Sequence, residues 1–194
     1  MRLFCFEAGG GWAAAAFSKR GLYALVLLQE SPEAAQSRLA ALLNGKGIDL
    51  DPAVFAEPRG AARREALALA RQLRRYFSGR EAVFSVRLDW SGYTPFQTAV
   101  LEAIRSIPYG QTRTYAQVAE AVGVPRGARA VGAAAAKNRT PLVVPCHRVV
   151  AAGGRLGGFS CGAQVKLRLL AVEGWPGLSS CFSSIAPKPR SSKI

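Results

Sequence analysis

TYAQVAEAVGVPRGARAVGAAAAK, residues 114–137, reads as two short helices about a tight turn. Thr114 is a capping hydroxyl ahead of Tyr115, Val118 and Ala119. Gly123-Val124-Pro125 breaks that helix, and residues 127–137 run on as a second, alanine-rich one. Two short helices around a glycine-containing turn have the shape of a helix-turn-helix. The second helix is small-faced: Ala128, Ala130, Gly132 and Ala133 to Ala136 leave it almost without bulk, and Arg126, Arg129, Lys137 and Arg139 supply its charge. Such a helix either packs closely on its neighbours or is thin enough to enter a DNA groove with its arginines reaching phosphates or the stack. Both readings stay open, for different faces.

Upstream, Thr94-Pro95 opens a helix carrying Phe96, Val100, Leu101 and Ile104, which stops before Pro108-Tyr109-Gly110. Downstream, Leu142 to Val144 reads as a short apolar strand leading into Pro145-Cys146-His147-Arg148-Val149-Val150. Gly153-Gly154 and Gly157-Gly158 then bracket a tight loop, and a helix near 163–173 carries Leu167, Leu169, Leu170 and Val172. The first part of the chain has a different pattern. Trp12 to Phe17 and Leu22 to Leu28 read as an antiparallel strand pair, and Ser31-Pro32-Glu33 starts a helix with Leu39, Leu42 and Leu43 on one stripe. After a loop around Asp49 to Pro58, residues 61–77 form an amphipathic helix through Leu67, Leu69, Leu73 and Phe77, ended by Gly79, and Val83 to Leu88 alternates as a returning strand. The expected fold is therefore α+β in two domains: a small α/β domain over 1–88 and a helix-turn-helix domain over 89–175, with a basic, Ser/Pro-rich, disordered tail over 176–194.

The formal net charge of +14 favours a polyanionic partner, and its distribution says where. Residues 1–88 hold 13 basic and 8 acidic side chains, whereas 89–194 hold 13 basic and 4 acidic; between Arg105 and Arg168 the only acid is Glu120. A phosphate-binding surface belongs to the second half. No stretch approaches the roughly 20 apolar residues of a membrane helix, and Glu7 with Gly9 to Gly11 interrupts any signal-peptide core, so an intracellular, cytoplasmic protein is expected. The four cysteines, at 5, 146, 161 and 181, form no CxxC pair, and His147 is the single histidine. Reduced thiols, no structural metal and no cofactor are expected.

Cys146 lies between a proline and that single histidine, with Arg148 beyond, and imidazole or cationic neighbours draw a thiol toward its reactive thiolate. The competing reading is a core cysteine beside a satisfied histidine. Neighbours on a strand point to opposite faces, so adjacency alone does not bring Cys146 and His147 together. A base acting on a thiol is usually oriented by a third group. Asp89, Glu102, Glu120 and Glu173 are the acids after residue 88, and Glu173, closing the last helix, is the best placed.

PCHRVV at 145–150, ARAVG at 128–132, Asn138, IPYGQT at 107–112 and Tyr115, continued through Gly153, Gly158, Lys166, Leu169, Leu170 and Glu173, resemble the O6-alkylguanine-DNA alkyltransferase family over essentially all of 94–174. Residues 1–88 resemble it in layout only, as a small ribonuclease-H-like domain ahead of a winged-helix domain. The resemblance implies stoichiometric repair of O6-alkylguanine in double-stranded DNA. In it Cys146 accepts the alkyl group, His147 passes the thiol proton through a water, Glu173 fixes the His147 tautomer and Asn138 orders the turn. Tyr115 presses on the phosphate 3′ to the target, and Arg129 fills the hole left in the stack. Thr114, Arg126, Ala128, Ala130, Gly132 and Lys137 complete the DNA-binding surface, and Pro145, Val149, Gly157, Phe159 and Ser160 line the base pocket. The free protein is expected to be a monomer, cooperative on DNA.

Two positions depart from the family pattern: Phe159 stands where tyrosine is common, and Arg139 where a proline often follows the asparagine. The first loses a hydroxyl from the pocket wall; the second loosens the turn or adds a phosphate contact. A zinc site found in some members has no counterpart, since Cys5 stands alone near the N-terminus. Three rivals are a non-catalytic alkyltransferase-like protein, which would lack the acceptor cysteine, a winged-helix transcription factor, and a cysteine hydrolase.

Overall fold

A computed structural model describes residues 1–48 and 60–177. The chain begins as an antiparallel meander of β1 (Arg2–Glu7), β2 (Trp12–Ser18) and β3 (Gly21–Gln29), in that order across the sheet. β2 and β3 are the strands that the alternation predicts, and β1 is an addition. Residues 13–17 of β2 are all 0% exposed, which explains their lack of polar alternation: both faces of the strand are covered. Ala14 and Ala16 pack toward Leu39 and Leu43 of α1 (Pro32–Asn44), while Ala13, Ala15 and Phe17 join the main core. Ser31 Oγ caps α1 by accepting from Ala34 N at 3.1 Å.

Across the sheet, α2 (Gly60–Phe77) contributes Ala66, Leu69, Leu73 and Tyr76 to the main core. Leu67, expected in that stripe, is 41% exposed, because adjacent helical positions point about 100° apart and Ala66 takes the inward one. α3 (Pro95–Arg105), α4 (Tyr115–Ala121) and α5 (Ala128–Ala135) pack on one another. Thr94 with Gln97, and Thr114 with Gln117, form reciprocal capping boxes that start α3 and α4. A two-residue parallel pair of β4 (Arg113–Thr114) and β5 (Val149–Val150) pins the start of α4 beside the segment holding Cys146, and α6 (Ala163–Val172) closes the order. One apolar cluster runs from Phe4 and Phe17 through Tyr76 to Ile104, Val144 and Leu169, so the core is continuous across residue 88.

Two expected strands are absent. Residues 83–88 form no strand: Leu22 N donates to Arg87 O at 2.8 Å and Asp89 N to Leu22 O at 2.9 Å, but further along Leu25 N donates to Arg139 O at 2.8 Å. The outer edge of β3 is shared between two segments, which leaves 83–86 without a ladder and Val83 77% exposed. Residues 142–144 are a buried turn rather than a strand, with Leu142 at φ 74° and Val144 N donating back to Thr140 O at 2.9 Å. The Asp49–Pro58 loop and the tail from residue 178 lie outside the described residues, whereas Pro176 and Gly177 continue a turn after the buried Trp175.

Arg139 neither loosens its turn nor reaches toward a phosphate. It is 4% exposed, its guanidinium lying 3.9 Å from the Tyr23 ring centroid and 4.1 Å from that of Tyr93. Nη2 donates to Asp89 O at 3.1 Å and to Ser91 O at 2.8 Å. The side chain thus fastens β3 to the segment that joins the two halves. Arg139→Ala removes two cation–π contacts and strands two carbonyls, so urea denaturation should show a loss of about 2–4 kcal/mol. A loss under about 0.5 kcal/mol, the scale of a surface change, would contradict this role.

Candidate active site

Cys146, His147 and Arg148 occupy a single 3-10 turn, held by Arg148 N donating to Pro145 O at 2.9 Å. Successive residues on such a turn point roughly 120° apart instead of to opposite faces. One side chain can therefore border a cavity while the next two reach inward, which the strand expectation did not allow. Cys146 borders the cavity and is 5% exposed; His147 and Arg148 are buried and converge on Glu173, the C-cap of α6.

Glu173 accepts from His147 Nε2 at 2.7 Å and from Tyr76 Oη at 2.7 Å, both at Oε1. Arg148 Nε donates to Oε2 at 2.9 Å, Arg148 Nη2 to Oε1 at 3.0 Å, and Gly110 N to Oε2 at 3.0 Å. Burial pushes this carboxyl up, but the hydrogen bonds from His147 and Arg148 outweigh it and hold the pKa at about 2. Burial, with Arg148 and Lys166 nearby, draws His147 below its ordinary value despite the pull of Glu173. The imidazole is therefore neutral, and because Glu173 is ionised its proton sits on Nε2. Nδ1 is buried, a free acceptor with no partner among the described residues.

Asn138 Nδ2 donates to Cys146 Sγ at 2.9 Å and to Val144 O at 2.9 Å. Its Oδ1 accepts from Thr140 N at 3.0 Å, which fixes the amide's orientation. Burial pushes the Cys146 thiol up to about 12, against the lowering effects of the Asn138 bond and the Lys166 charge. At rest the thiol is protonated. Lys166, itself buried, donates from Nζ to Val149 O at 2.6 Å and to Gly158 O at 3.3 Å, tying the 157–160 loop to the turn.

A cavity of about 530 Å³ adjoins Cys146. Thr114, Tyr115, Ala128, Arg129, Gly132, Phe159 and Ser160 lie on its wall, as do Ala135, expected only as part of a small-faced helix, and Ala151, which the sequence does not single out. Arg126, Ala130 and Lys137 are exposed outside it. Pro145 and Val149, expected on the pocket wall, are instead buried behind it, since the 3-10 turn carries them into the core. Gly157 sits alongside Tyr115: at φ 70° a Cβ there would lie 3.0 Å from the ring, so only glycine lets Tyr115 seat with its hydroxyl donating to Gly158 O at 3.1 Å. Burial raises the Tyr115 pKa, so the phenol keeps its proton. Among the described residues no group of three His, Cys, Asp or Glu side chains is placed to hold a metal, and no helix is long and apolar enough to cross a membrane. Sequence reasoning missed Tyr76 and gave Arg148 only a general cationic role. No local pattern marks a tyrosine on a leucine stripe as a partner of a residue 97 positions away.

Residues 95–175 match the family model described as the DNA binding domain of 6-O-methylguanine DNA methyltransferase. A methylated-DNA–protein-cysteine methyltransferase of Methanosarcina acetivorans is 46% identical over 105 residues, covering 54% of this chain and 67% of the relative. One from Mycobacterium leprae is 46% identical over 116 residues, covering 60% and 68%. Among solved structures, Mycobacterium tuberculosis OGT in complex with DNA aligns with a TM-score of 0.66 at 31% identity, over 92% of this chain and 98% of that one. The O6-methylguanine-DNA methyltransferase of Pyrococcus kodakaraensis aligns at 0.65 and 28% identity, over 89% and 99%.

The carboxyl of Glu173 ionises near 2 when folded against an ordinary 4.5, so its stabilising effect is complete above the ordinary value and is lost as pH falls through that window. The melting temperature of the native protein should fall more steeply than that of Glu173→Gln between about pH 5 and about pH 3 in scanning calorimetry. Parallel slopes would show that the buried carboxylate is not the acid-labile element.

Proposed function

The chain belongs to the methylated-DNA–protein-cysteine methyltransferase family, and we propose on that premise that it repairs DNA by moving the alkyl group of O6-alkylguanine onto its own Cys146. The observation that carries the choice of residue is a buried thiol bordering a nucleotide-sized cavity and backed by a neutral imidazole on an ionised carboxylate. Residues 1–88 are read as a ribonuclease-H-like domain and 89–175 as a winged-helix domain. The antiparallel meander with α1 on one face supports the first reading, and the α4–α5 pair beside the short β4–β5 ladder supports the second.

A base held in stacked duplex cannot bring the alkyl carbon on O6 to a thiol buried beside a cavity, so the damaged nucleotide must rotate out, at a cost of roughly a few kcal/mol that falls for a badly paired base. α5 enters the minor groove, with Thr114, Ala128, Ala130 and Gly132 close to the backbone and Arg126 and Lys137 toward phosphates. Arg129 fills the vacated stack, and Tyr115 presses on the 3′ phosphate. Phe159 and Ser160 wall the extruded base. His147 Nδ1 takes the thiol proton through a bridging water, and the resulting imidazolium is held by Glu173. The Sγ–C bond forms as the C–O6 bond breaks, and its electron pair goes to guanine. The Tyr115 hydroxyl delivers a proton to the base, and the proton held by His147 returns to the Tyr115 oxygen through water, so that the thiol's proton ends on guanine and both side chains regain their starting forms. The step balances without a cofactor. The product thioether has no carbonyl for water to attack, so each chain acts once. A free thiol consumed in this way fits a reducing, cytoplasmic setting. The free protein is read as a monomer, cooperative on DNA.

Incubation with duplex carrying one O6-methylguanine should add about 14 Da to the intact protein, stopping at one equivalent, with no gain on undamaged duplex or in Cys146→Ser. Tight binding without a mass change would leave a lesion-sensing protein instead of a transferase. Arg129→Ala should slow transfer from duplex about tenfold, the scale of one lost stacking contact, while leaving transfer from free O6-methylguanine base unchanged. Equal slowing on both would contradict its role in extrusion.

A further inference from the structure

Tyr76 lies near the end of α2, outside the matched segment 95–175, and is 0% exposed. Its hydroxyl is 2.7 Å from Glu173 Oε1, 3.2 Å from Leu169 O and 3.5 Å from His147 Nε2. A phenol has one proton to give. Glu173 Oε1 is both the nearest acceptor and the charged one, so the proton goes there. His147 Nε2 already donates its own hydrogen to the same oxygen at 2.7 Å and has no lone pair to offer. Tyr76 from the first half of the chain therefore shares a single carboxylate oxygen with His147 and Arg148 from the second.

We infer that Tyr76 is a positioning residue for proton transfer at His147: by sharing Glu173 Oε1 with His147 Nε2, its hydroxyl sets both the orientation and the basicity of the imidazole. The inference rests on the reading of His147 as proton acceptor for Cys146. A carboxylate that receives an additional hydrogen bond is a weaker acceptor for the imidazolium beside it, so Tyr76 keeps His147 easier to deprotonate than Glu173 alone would. The other groups facing this pair are Arg148 and Gly110 N on the same carboxylate, Lys166 on α6, Cys146 on the turn, and Tyr109, whose hydroxyl donates to Val172 O at 2.8 Å. The Tyr76 ring cannot swing away: Phe77 and Tyr109 pack edge-on at 5.3 Å and 5.9 Å, and Phe84 lies at 6.3 Å. Burial beside Glu173 raises the Tyr76 pKa, so the phenol remains a donor at every working pH.

Tyr76→Phe in the full chain removes only the hydroxyl. Because His147 is the single histidine, its ring nitrogens give one set of signals, and their titration can be followed by nitrogen NMR alongside the single-turnover rate on O6-methylguanine duplex. His147 should titrate at higher pH than in the native protein, and the acid limb of the rate profile should move up with it, slowing transfer about tenfold on that limb. Tyr109→Phe, which also loses a tyrosine hydroxyl contact, a half-buried one to Val172 O, should lower the melting temperature without moving either profile. 3-Fluorotyrosine at position 76, a stronger donor with the ring kept, should shift both profiles downward. Profiles of Tyr76→Phe that coincide with the native ones, or an upward shift with fluorotyrosine, would overturn the inference and leave the transfer reaction standing. Failure of the native protein to alkylate Cys146 at all would instead overturn the function on which it rests.

Discussion

An ionised carboxylate is costly inside a protein unless donors meet both oxygens, and Glu173 is met on both. Tyr76 comes from α2, Gly110 from the loop after α3, and His147 and Arg148 from the 3-10 turn, while Glu173 itself caps α6. Those hydrogen bonds therefore fix four separate segments relative to one another. The position is otherwise unfavourable for an anion, since the last carbonyls of α6 present the negative end of the helix dipole, an effect of up to about 1 kcal/mol at an exposed site. The donors override it, and in doing so they make the first half of the chain part of the site.

The charge arrangement has a direct chemical consequence. With Glu173 anionic and His147 neutral, the imidazole presents a free Nδ1 while its other nitrogen is committed, so it can take a proton and become a stabilised cation. The thiol beside it is kept protonated by burial. For an acceptor used once, a standing thiolate would be spent on any passing electrophile or oxidant. In the proposed reaction, a thiol that ionises only as its proton is handed to His147 confines reactivity to the moment a substrate occupies the cavity. Asn138 holds Sγ in place meanwhile, and its own amide is locked by Thr140.

Local signals in the sequence are legible where the physics is local. Ser31-Pro32, Thr94-Pro95 and Thr114 mark helix starts because a capping hydroxyl acts on an amide three residues away. Failures came where distant segments decide the conformation. Val83 to Leu88 alternates like a strand, yet β3 has no free edge left for it beyond Leu22, because Arg139 occupies the next position. Leu142 to Val144 is apolar because it is a buried turn, and apolarity alone does not separate the two. Arg139 looked like a phosphate ligand because arginine on a basic segment usually faces solvent; Tyr23 and Tyr93, 116 and 46 positions away, make it a core residue. The position of Glu173 at the end of the last helix makes it the best-placed acid for His147, and the family resemblance sharpens that to a pairing; its bond with Tyr76 is not legible at all.

The small-faced α5 packs one face against its neighbours and leaves another on the cavity and the surface. Val131, Ala134 and Ala135 are buried where the helix packs on α3 and α4. Ala128, Arg129 and Gly132 lie on the cavity wall, and Ala130 and Ala133 are exposed. Smallness serves each face for a different reason. On the packed side it permits close approach of neighbouring helices; at Gly132 a Cβ would rest in ordinary van der Waals contact with the Tyr115 ring, 3.7 Å away. On the exposed side, in the proposed DNA complex, a larger residue would hold the helix off the groove and keep Arg129 short of the stack. The one long side chain on the cavity face of an otherwise short-chained helix is thus the feature that sequence composition states most directly: a thin support carrying a single probe.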